Sequence, residues 1–371
     1  MRIAILALGT RGDVELFVSL GRELQARGHQ VVLGSSGFFE SPVLAAGLEW
    51  QKVGSGSFDQ LRTTLAALSE SDDGETRTRR YVSDWLQPQL RQGANALRSM
   101  TARADYFISN LKLVMARDGV VIPGAAVTYD PPASPDDLAR SGTRNHGDRV
   151  IDLVAMDRRL IDPDETWDER YRFTGFWSSN PGPTRPRDAR LQSWLERGDA
   201  PVVVTLGSMT SFDSDRLVAC VREAIRLQGV RCVLVRGWSS ITTSDQEDAT
   251  TLMIGEASYE QLFPAARCVV HHGGYGTLVS VLTAGVPSIL LPQIRAQQEF
   301  GKRLLAEKLA TGMFDISQLD PRSLAAALQR ADTDVEIQAQ VRRWQARIAT
   351  QAGLATAAEA VEAHGGAIAG R

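Results

Sequence analysis

At 371 residues the chain is longer than one hydrophobic core comfortably holds, and it suits two domains of ordinary size. A content of 43% hydrophobic and 23% charged residues is that of a globular protein with a buried core and a wetted surface. The 41 basic and 44 acidic residues leave a formal net charge of −3, which excludes the electrostatic footprint of a nucleic-acid or anionic-membrane binder.

The apolar run Arg2 to Leu8 reads as a buried strand and meets Gly9 and Gly12. Asp13 opens a stretch with Leu16, Leu20 and Leu24 at helical spacing, ending at Gly28. Gln30 to Leu33 is a second strand, Phe38 to Ala46 a helix closed by Gly47, and Glu49 to Val53 a third strand. Strand and helix alternate without hairpin signals, which predicts parallel βαβ units. Thr76 to Arg103 is predicted mostly helical with a break near Pro88, and Tyr106 to Ser109 and Val120 to Pro123 read as later strands. The basic cluster Arg77, Arg79, Arg80 is short and reads as a solvated helix face.

A proline-rich stretch, Ser178 to Asp188, then interrupts the pattern and predicts a linker over 181–198. Pro201 to Thr205 restarts it as a strand ending in Gly207-Ser208. Arg231 to Val235, Thr251 to Ile254, Cys268 to His271 and Ser288 to Leu291 follow as strands, and the chain beyond Pro321 reads as helical. The expected fold is α/β: two doubly wound Rossmann-like domains, 1–180 and 199–350, facing each other across a cleft, with a helical tail over 351–371. In such sheets ligands sit beyond the carboxyl ends of the strands, so one ligand site between the domains is expected.

Cys220, Cys232 and Cys268 form no CxxC pair and argue against a disulfide framework or structural zinc, which points to a reducing cytoplasm. The apolar run at Ile3 to Leu8 is too short for a signal peptide's hydrophobic region. No segment approaches the roughly 20 apolar residues of a membrane span, so no stable membrane insertion is expected.

The strongest local signal is His271-His272-Gly273-Gly274-Tyr275-Gly276-Thr277, between a strand and a helix. Glycines let backbone N–H groups approach an anion, the helix N-terminus adds partial positive charge, and Thr277 can donate a hydroxyl proton. A histidine can hydrogen-bond a phosphate oxygen, and supplies charge if protonated. The plainer reading is a glycine-rich turn with a capping Thr. Asp13 has two readings as well: a cap of the first helix, or a carboxylate that takes a proton in the cleft. Three DxD triplets, Asp162-Pro163-Asp164, Asp213-Ser214-Asp215 and Asp332-Thr333-Asp334, could suggest a metal–nucleotide site, but none follows a strand end. No metal and no cofactor is expected.

HHGGYGT, followed by AGVPSILLPQ and a Gln-Gln pair, resembles the donor site of inverting GT-B glycosyltransferases of family 1 type. The nearest subgroup is that of bacterial enzymes that glycosylate antibiotics and other natural products. Gly9-Thr10-Arg11-Gly12-Asp13-Val14-Glu15 is similar to that subgroup's opening loop, and Gly207-Ser208 and Arg236-Gly237-Trp238 fall at its next landmarks. The stretch from about Ser55 to Asp148, where such enzymes shape their acceptor pocket, carries no matching motif.

The resemblance implies a first domain that binds acceptor and a second that binds nucleotide-sugar. His272, Gly274, Gly276 and Thr277 would hold the diphosphate, with Gly12 and Ser208 contributing. Trp238 and the Gly255 to Ser258 segment would lie near the base, and Gln297 and Gln298 would reach the sugar hydroxyls. The first position of that pair is usually Asp or Glu in the family, and Gln297 suggests a deoxy or otherwise modified sugar, unless it is only an exposed helix-start residue. Asp13 would be the catalytic base, with Glu15, His29 and His146 as weaker alternatives. Trp344 would lie in a C-terminal segment that braces the first domain. The implied partners are a UDP- or dTDP-sugar and a small, aromatic or polyketide-like acceptor. An epimerase of the same fold, or a non-catalytic binding protein, is the alternative reading.

Overall fold

The computed structural model describes residues 1–68, 76, 79–110, 120, 122–129, 148–161, 171–178, 188–207, 214–237 and 250–370. It divides into two compact units, one of residues 1–64, 78–182 and 351–371, the other of 65–77 and 183–350.

The first unit begins with β1 (Arg2–Leu6), α1 (Arg11–Ala26), β2 (Gln30–Ser35), α2 (Glu40–Ala45), β3 (Glu49–Lys52) and the start of α3 (Phe58–Leu68), whose residues from 65 on count with the second unit. A wide π-helical turn, Tyr81–Leu86, leads into α4 (Gln87–Gln92), followed by α5 (Ala94–Thr101), β4 (Tyr106–Asn110) and β5 (Gly124–Thr128). Then come β6 (Val150–Val154), α6 (Arg158–Ile161) and β7 (Tyr171–Phe173). All strands run parallel in the order β3-β2-β1-β4-β5-β6-β7, so strand order reverses between β1 and β4. Ile3, Ala4, Ile5 and Leu6 are all fully buried, as expected of a parallel strand covered on both faces.

The second unit comprises α7 (Ala189–Glu196), β8 (Val202–Thr205), α8 (Ser214–Gln228), β9 (Cys232–Val235), β10 (Thr251–Ile254), α9 (Tyr259–Leu262) and β11 (Cys268–His271). It continues with α10 (Tyr275–Ala284), β12 (Ser288–Leu290), α11 (Arg295–Ala306), β13 (Ala310–Met313), α12 (Pro321–Thr333) and α13 (Val335–Ala349). Its parallel order is β10-β9-β8-β11-β12-β13, with the reversal between β8 and β11. β8 shows why the sheet needs helices on both sides. Val202 and Val204 enter one core with Leu217, Val221 and Leu328, while Val203 enters the other with Leu262, Phe263 and Val281.

The last helix, α14 (Gly353–Ala369), belongs to the first unit and packs on α1 and β5, and its Ala357, Ala358 and Val361 are fully buried. Polar contacts fix it. Glu362 and Glu359 pair with Arg27, and Glu362 Oε1 meets His29 Nε2 at 2.9 Å. His364 Nδ1 lies 2.8 Å from the Tyr106 hydroxyl, and Nε2 lies 2.9 Å from the Asp148 carbonyl, so Nε2 carries the proton. Trp344, expected to brace the first domain, instead sits buried on α13 in the second unit.

Several expected elements lie elsewhere. The strand expected at Val120 to Pro123 is Gly124–Thr128; Pro123 stops short of it, its carbonyl accepting from Phe107 N–H at 3.0 Å. No helix break falls at Pro88. The π turn ahead of it widens the backbone, Pro88 occupies the first turn of α4, and the discontinuity comes at Gly93. Part of the expected linker is α7, because Asp188 caps it by accepting from Arg190 and Leu191 N–H at 2.9 and 3.2 Å. β6, β7 and β13 were not anticipated; β6 hides fully buried Asp152 in its middle, and β13 reads ATGM.

Candidate functional site

In the second unit the loops after β8 and β11 meet at the strand-order reversal. His272 follows β11 and is buried, with its ring between two glycines. A Cβ on Gly207 would lie 2.9 Å from His272 Cε1, and one on Gly274 only 2.3 Å from Nε2. Gly207 has a left-handed φ of 58°, and a Cβ on Gly237 would stand 2.2 Å from the Gly207 carbonyl, so both turns require glycine.

The paired histidines have separate duties. His271 accepts from Gly273 N–H at Nδ1 (3.1 Å) and donates from Nε2 to Ser288 Oγ (3.1 Å), which ties the turn to β12. Burial, then the neighbouring His272, lowers its pKa to about 3. Burial lowers that of His272 to about 4. Both rings are therefore neutral at neutral pH, and His272 can supply an N–H but not a charge. Its Nδ1 is sealed from solvent and has no hydrogen-bond partner among the described residues.

α10 begins on Gly274 with no side-chain cap on its first turn. A helix's leading N–H groups have no intrahelical acceptors, so this end presents donors and partial positive charge. Gly276 occupies the second position of α10, where an added Cβ would meet nothing within 4 Å, and Thr277 occupies the third. Gly273, with φ 86°, rests against the Gln297 backbone carbonyl, which a Cβ would approach to 3.3 Å.

Gln297 is buried rather than exposed. Its Oε1 accepts from Gln293 N–H at 2.8 Å and Ile294 N–H at 3.3 Å, capping α11. Its carbonyl oxygen is thus committed to its own loop, while Gln298 beside it is exposed. Gly255 to Ser258 follow β10; Gly255 O accepts from Gly237 N–H at 2.9 Å. Tyr259 stacks on Phe263 and its hydroxyl lies 2.8 Å from Thr205 Oγ1 at the end of β8. Ser208 and Trp238 lie outside the described residues.

In the first unit the reversal lies between β1 and β4, and Asp13 stands there at the third position of α1. Its Oδ2 accepts from Thr10 N–H at 2.7 Å and Thr10 Oγ1 at 2.9 Å, so the capping role is real. Gly9 allows this approach, because a Cβ there would sit 2.4 Å from Asp13 Oδ2. Oδ1 accepts from the Tyr129 hydroxyl, which in turn accepts from Asn110 Nδ2. The two helix starts differ: α1 fills its own first turn with a carboxylate, and α10 leaves its first turn uncapped.

Gly12, at the second position of α1, is exposed, with nothing within 4 Å of an added Cβ. Glu15 is paired to Arg11 at 2.7 Å, His29 is occupied by Glu362, and His146 lies outside the described residues. Tyr129, Asn110 and Tyr259 went unnoticed in the sequence, since no spacing or motif links them to the glycine loops. Tyr81 on the π turn is another: its buried hydroxyl has no hydrogen-bond partner among the described residues. Burial first, and the charge of Asp13 second, raise its pKa well above the usual phenol value.

Of the DxD triplets, Asp332 pairs with Arg267 at 2.6 Å and Asp334 caps α13 through Glu336 and Ile337 N–H. Asp215 lies in the first turn of α8, and the remaining members Asp162, Asp164 and Asp213 lie outside the described residues. Among the described residues no three His, Cys, Asp or Glu side chains cluster as a metal site would need.

Residues 3–85 match the glycosyltransferase family 28 N-terminal domain, and residues 202–360 match the glycosyltransferase family 28 C-terminal domain. The chain belongs to the glycosyltransferase family that these two domains define. It is a nucleotide-sugar glycosyltransferase of the GT-B fold.

An O-mycaminosyltylonolide 6-deoxyallosyltransferase of Streptomyces fradiae is 26% identical, over 98% of this chain and 97% of that protein. A sterol 3-beta-glucosyltransferase of Arabidopsis thaliana is 24% identical, over 98% of this chain and 68% of that protein. Among solved structures, the calicheamicin glycosyltransferase CalG4 superposes with a TM-score of 0.74 at 20% identity, covering 99% of this chain and 98% of that one. The glycosyltransferase VinC, solved with dTDP, gives 0.69 at 17% identity, covering 98% and 99%. No helix among the described residues is long and apolar enough to cross a membrane.

Proposed function

We propose that this glycosyltransferase moves a sugar from a UDP- or dTDP-sugar to a small natural-product acceptor, without a metal ion and with inversion at the anomeric carbon. The observation that carries the reading is the uncapped first turn of α10 behind a neutral, buried His272. Gly274, Gly276 and Thr277 supply backbone and hydroxyl donors to the diphosphate, and His272 adds one N–H. These preorganised dipoles stabilise the charge that develops on the leaving diphosphate, the task a metal performs in other transferases.

On this reading the second unit holds the donor and the first holds the acceptor. Asp13, half-buried, takes the acceptor hydroxyl proton as that oxygen attacks, and a single displacement inverts the centre. The 6-deoxyallosyltransferase relative and the dTDP complex of VinC favour a dTDP-deoxysugar as donor, and a polyketide-like acceptor is the reading kept from the sequence. The committed carbonyl of Gln297 fits a donor that asks less of that position, with Gln298 meeting the sugar. Ser208, Trp238 and Gly12 are proposed as further donor contacts.

The test is a calorimetric and thermal-shift screen of UDP, dTDP, GDP and ADP. Selective binding of UDP or dTDP is expected, weakened at least tenfold by His272→Ala with Thr277→Ala. Equal affinity in that double variant would remove the donor-site assignment.

A further inference from the structure

Asp13 is held by more than a helix cap needs. The capping bonds to Thr10 use Oδ2 alone. Oδ1 is engaged separately by Tyr129, whose hydroxyl is itself held by Asn110. Tyr129 directly follows β5 and Asn110 ends β4; β1, β4 and β5 are consecutive in the sheet, so residues after three successive strands converge on one carboxylate. Tyr129 and Asn110 are only 5% and 3% exposed, and the Phe17 ring meets the Tyr129 ring edge-on at 6.4 Å. A phenol ring clamped in this way has little freedom to follow a moving carboxylate.

A carboxylate has about four lone-pair directions on its two oxygens. Thr10 takes two on Oδ2 and Tyr129 takes one on Oδ1, which leaves one direction on Oδ1 among the described contacts. We propose that Tyr129, backed by Asn110, is a positioning residue that aims the remaining lone pair of Asp13 Oδ1 at the acceptor hydroxyl. This rests on the reading of Asp13 as the base. Thr10 anchors Oδ2 alone, and Tyr129 adds a second, independent anchor on Oδ1, so the plane of the carboxylate is fixed at both oxygens. Asn110 donates to the oxygen of the Tyr129 hydroxyl, and that hydroxyl directs its proton to Asp13 Oδ1. At the moment of transfer the acceptor proton moves to Oδ1, the acceptor oxygen forms the new glycosidic bond, and the diphosphate leaves with the electron pair.

The experiment compares Y129F, N110A, D13N and D13N/Y129F with the wild type. Turnover is followed with dTDP-glucose or UDP-glucose and 4-methylumbelliferone, or by hydrolysis of the sugar nucleotide where the phenol is not taken. Y129F is expected to lower kcat at least tenfold while donor KM, dTDP or UDP affinity and melting temperature stay near wild type. N110A should act in the same direction and more weakly, and serves in place of Y129F if that variant does not fold. The double variant should be within about twofold of D13N, since Tyr129 has nothing to position once the base is gone. An unchanged kcat in Y129F, or losses that multiply in the double variant, would overturn the proposal while leaving Asp13 as the base. Near-normal turnover in D13N would instead remove the underlying reading.

Discussion

Adding one methyl group at Gly276 separates fold from ligand at the first turn of α10. The position is helical, and an added Cβ meets no atom within 4 Å, so the protein itself has no steric objection. Replacing Gly by Ala in a helix interior stabilises by up to about 1 kcal/mol, and less in a first turn. In a unit of this size that is a rise of roughly 0–3 °C in melting temperature. Side chains tilt toward the helix N-terminus, so the methyl enters the space in front of the leading N–H groups. An oxygen accepting from those groups needs about 2.9 Å, whereas a methyl carbon keeps an oxygen near 3.5 Å. Losing one charge-assisted hydrogen bond costs about 1.5–3 kcal/mol, or 10- to 100-fold in affinity. Calorimetry with dTDP and UDP, alongside a melting curve, reads both effects on one sample. The expected result is a protein at least as stable that binds ten times more weakly or worse. Wild-type affinity in Gly276→Ala would refute the placement of an anion on α10. Gly274→Ala is the less informative change, because its Cβ would strike His272 and disturb fold and site together.

Gly12→Ala gives the matching test on α1, where Asp13 already fills the first turn; a twofold or larger loss of dTDP or UDP affinity is expected only if Gly12 belongs to the donor site, and calorimetry decides. The two buried histidines make stability depend on pH. Their folded pKa values lie near 3 and 4 against an ordinary 6.5, so the unfolded chain binds protons that the folded one refuses as pH falls. Their stabilising effect is whole above about pH 6.5 and is lost downward, with a slope approaching about 2.7 kcal/mol per pH unit. Denaturant curves at pH 7.5 and 5 should show it, and His271→Asn losing as much as wild type would count against it. Val361→Ala, at a fully buried contact of α14, should cost about 2 kcal/mol, seen as a lower melting temperature with unchanged nucleotide affinity. Cys220, Cys232 and Cys268 are buried, and burial pushes the Cys268 thiol up to about 12, so a thiol reagent should label none in the native state and three after denaturation.

The sequence alone determined the two-fold βαβ plan, because buried parallel strands such as Ile3 to Leu6 and Val202 to Thr205 are continuous apolar runs between glycine turns. It also made the candidate anion loop legible, since His272 through Thr277 are contiguous and what such a site would require, backbone donors with no side chains in the way, is written in glycines. Strands whose burial depends on small or polar residues escaped it: β5 is mostly glycine and alanine, and β6 carries a fully buried carboxylate, Asp152, in its middle. Only the tertiary structure decided that His271 is a brace and His272 faces the glycine turn, because that depends on which ring meets Ser288 and which meets Gly207 and Gly274. It alone turned Gln297 inward onto its own helix start, and returned α14 rather than the Trp344 helix to the first unit. The meeting of Asp13, Tyr129 and Asn110 is likewise a product of strand order, since β1, β4 and β5 are neighbours in the sheet while more than a hundred residues separate Asp13 from Tyr129. A local pattern can specify what adjacent residues do, but hydrogen-bond partners across a sheet are chosen by the fold.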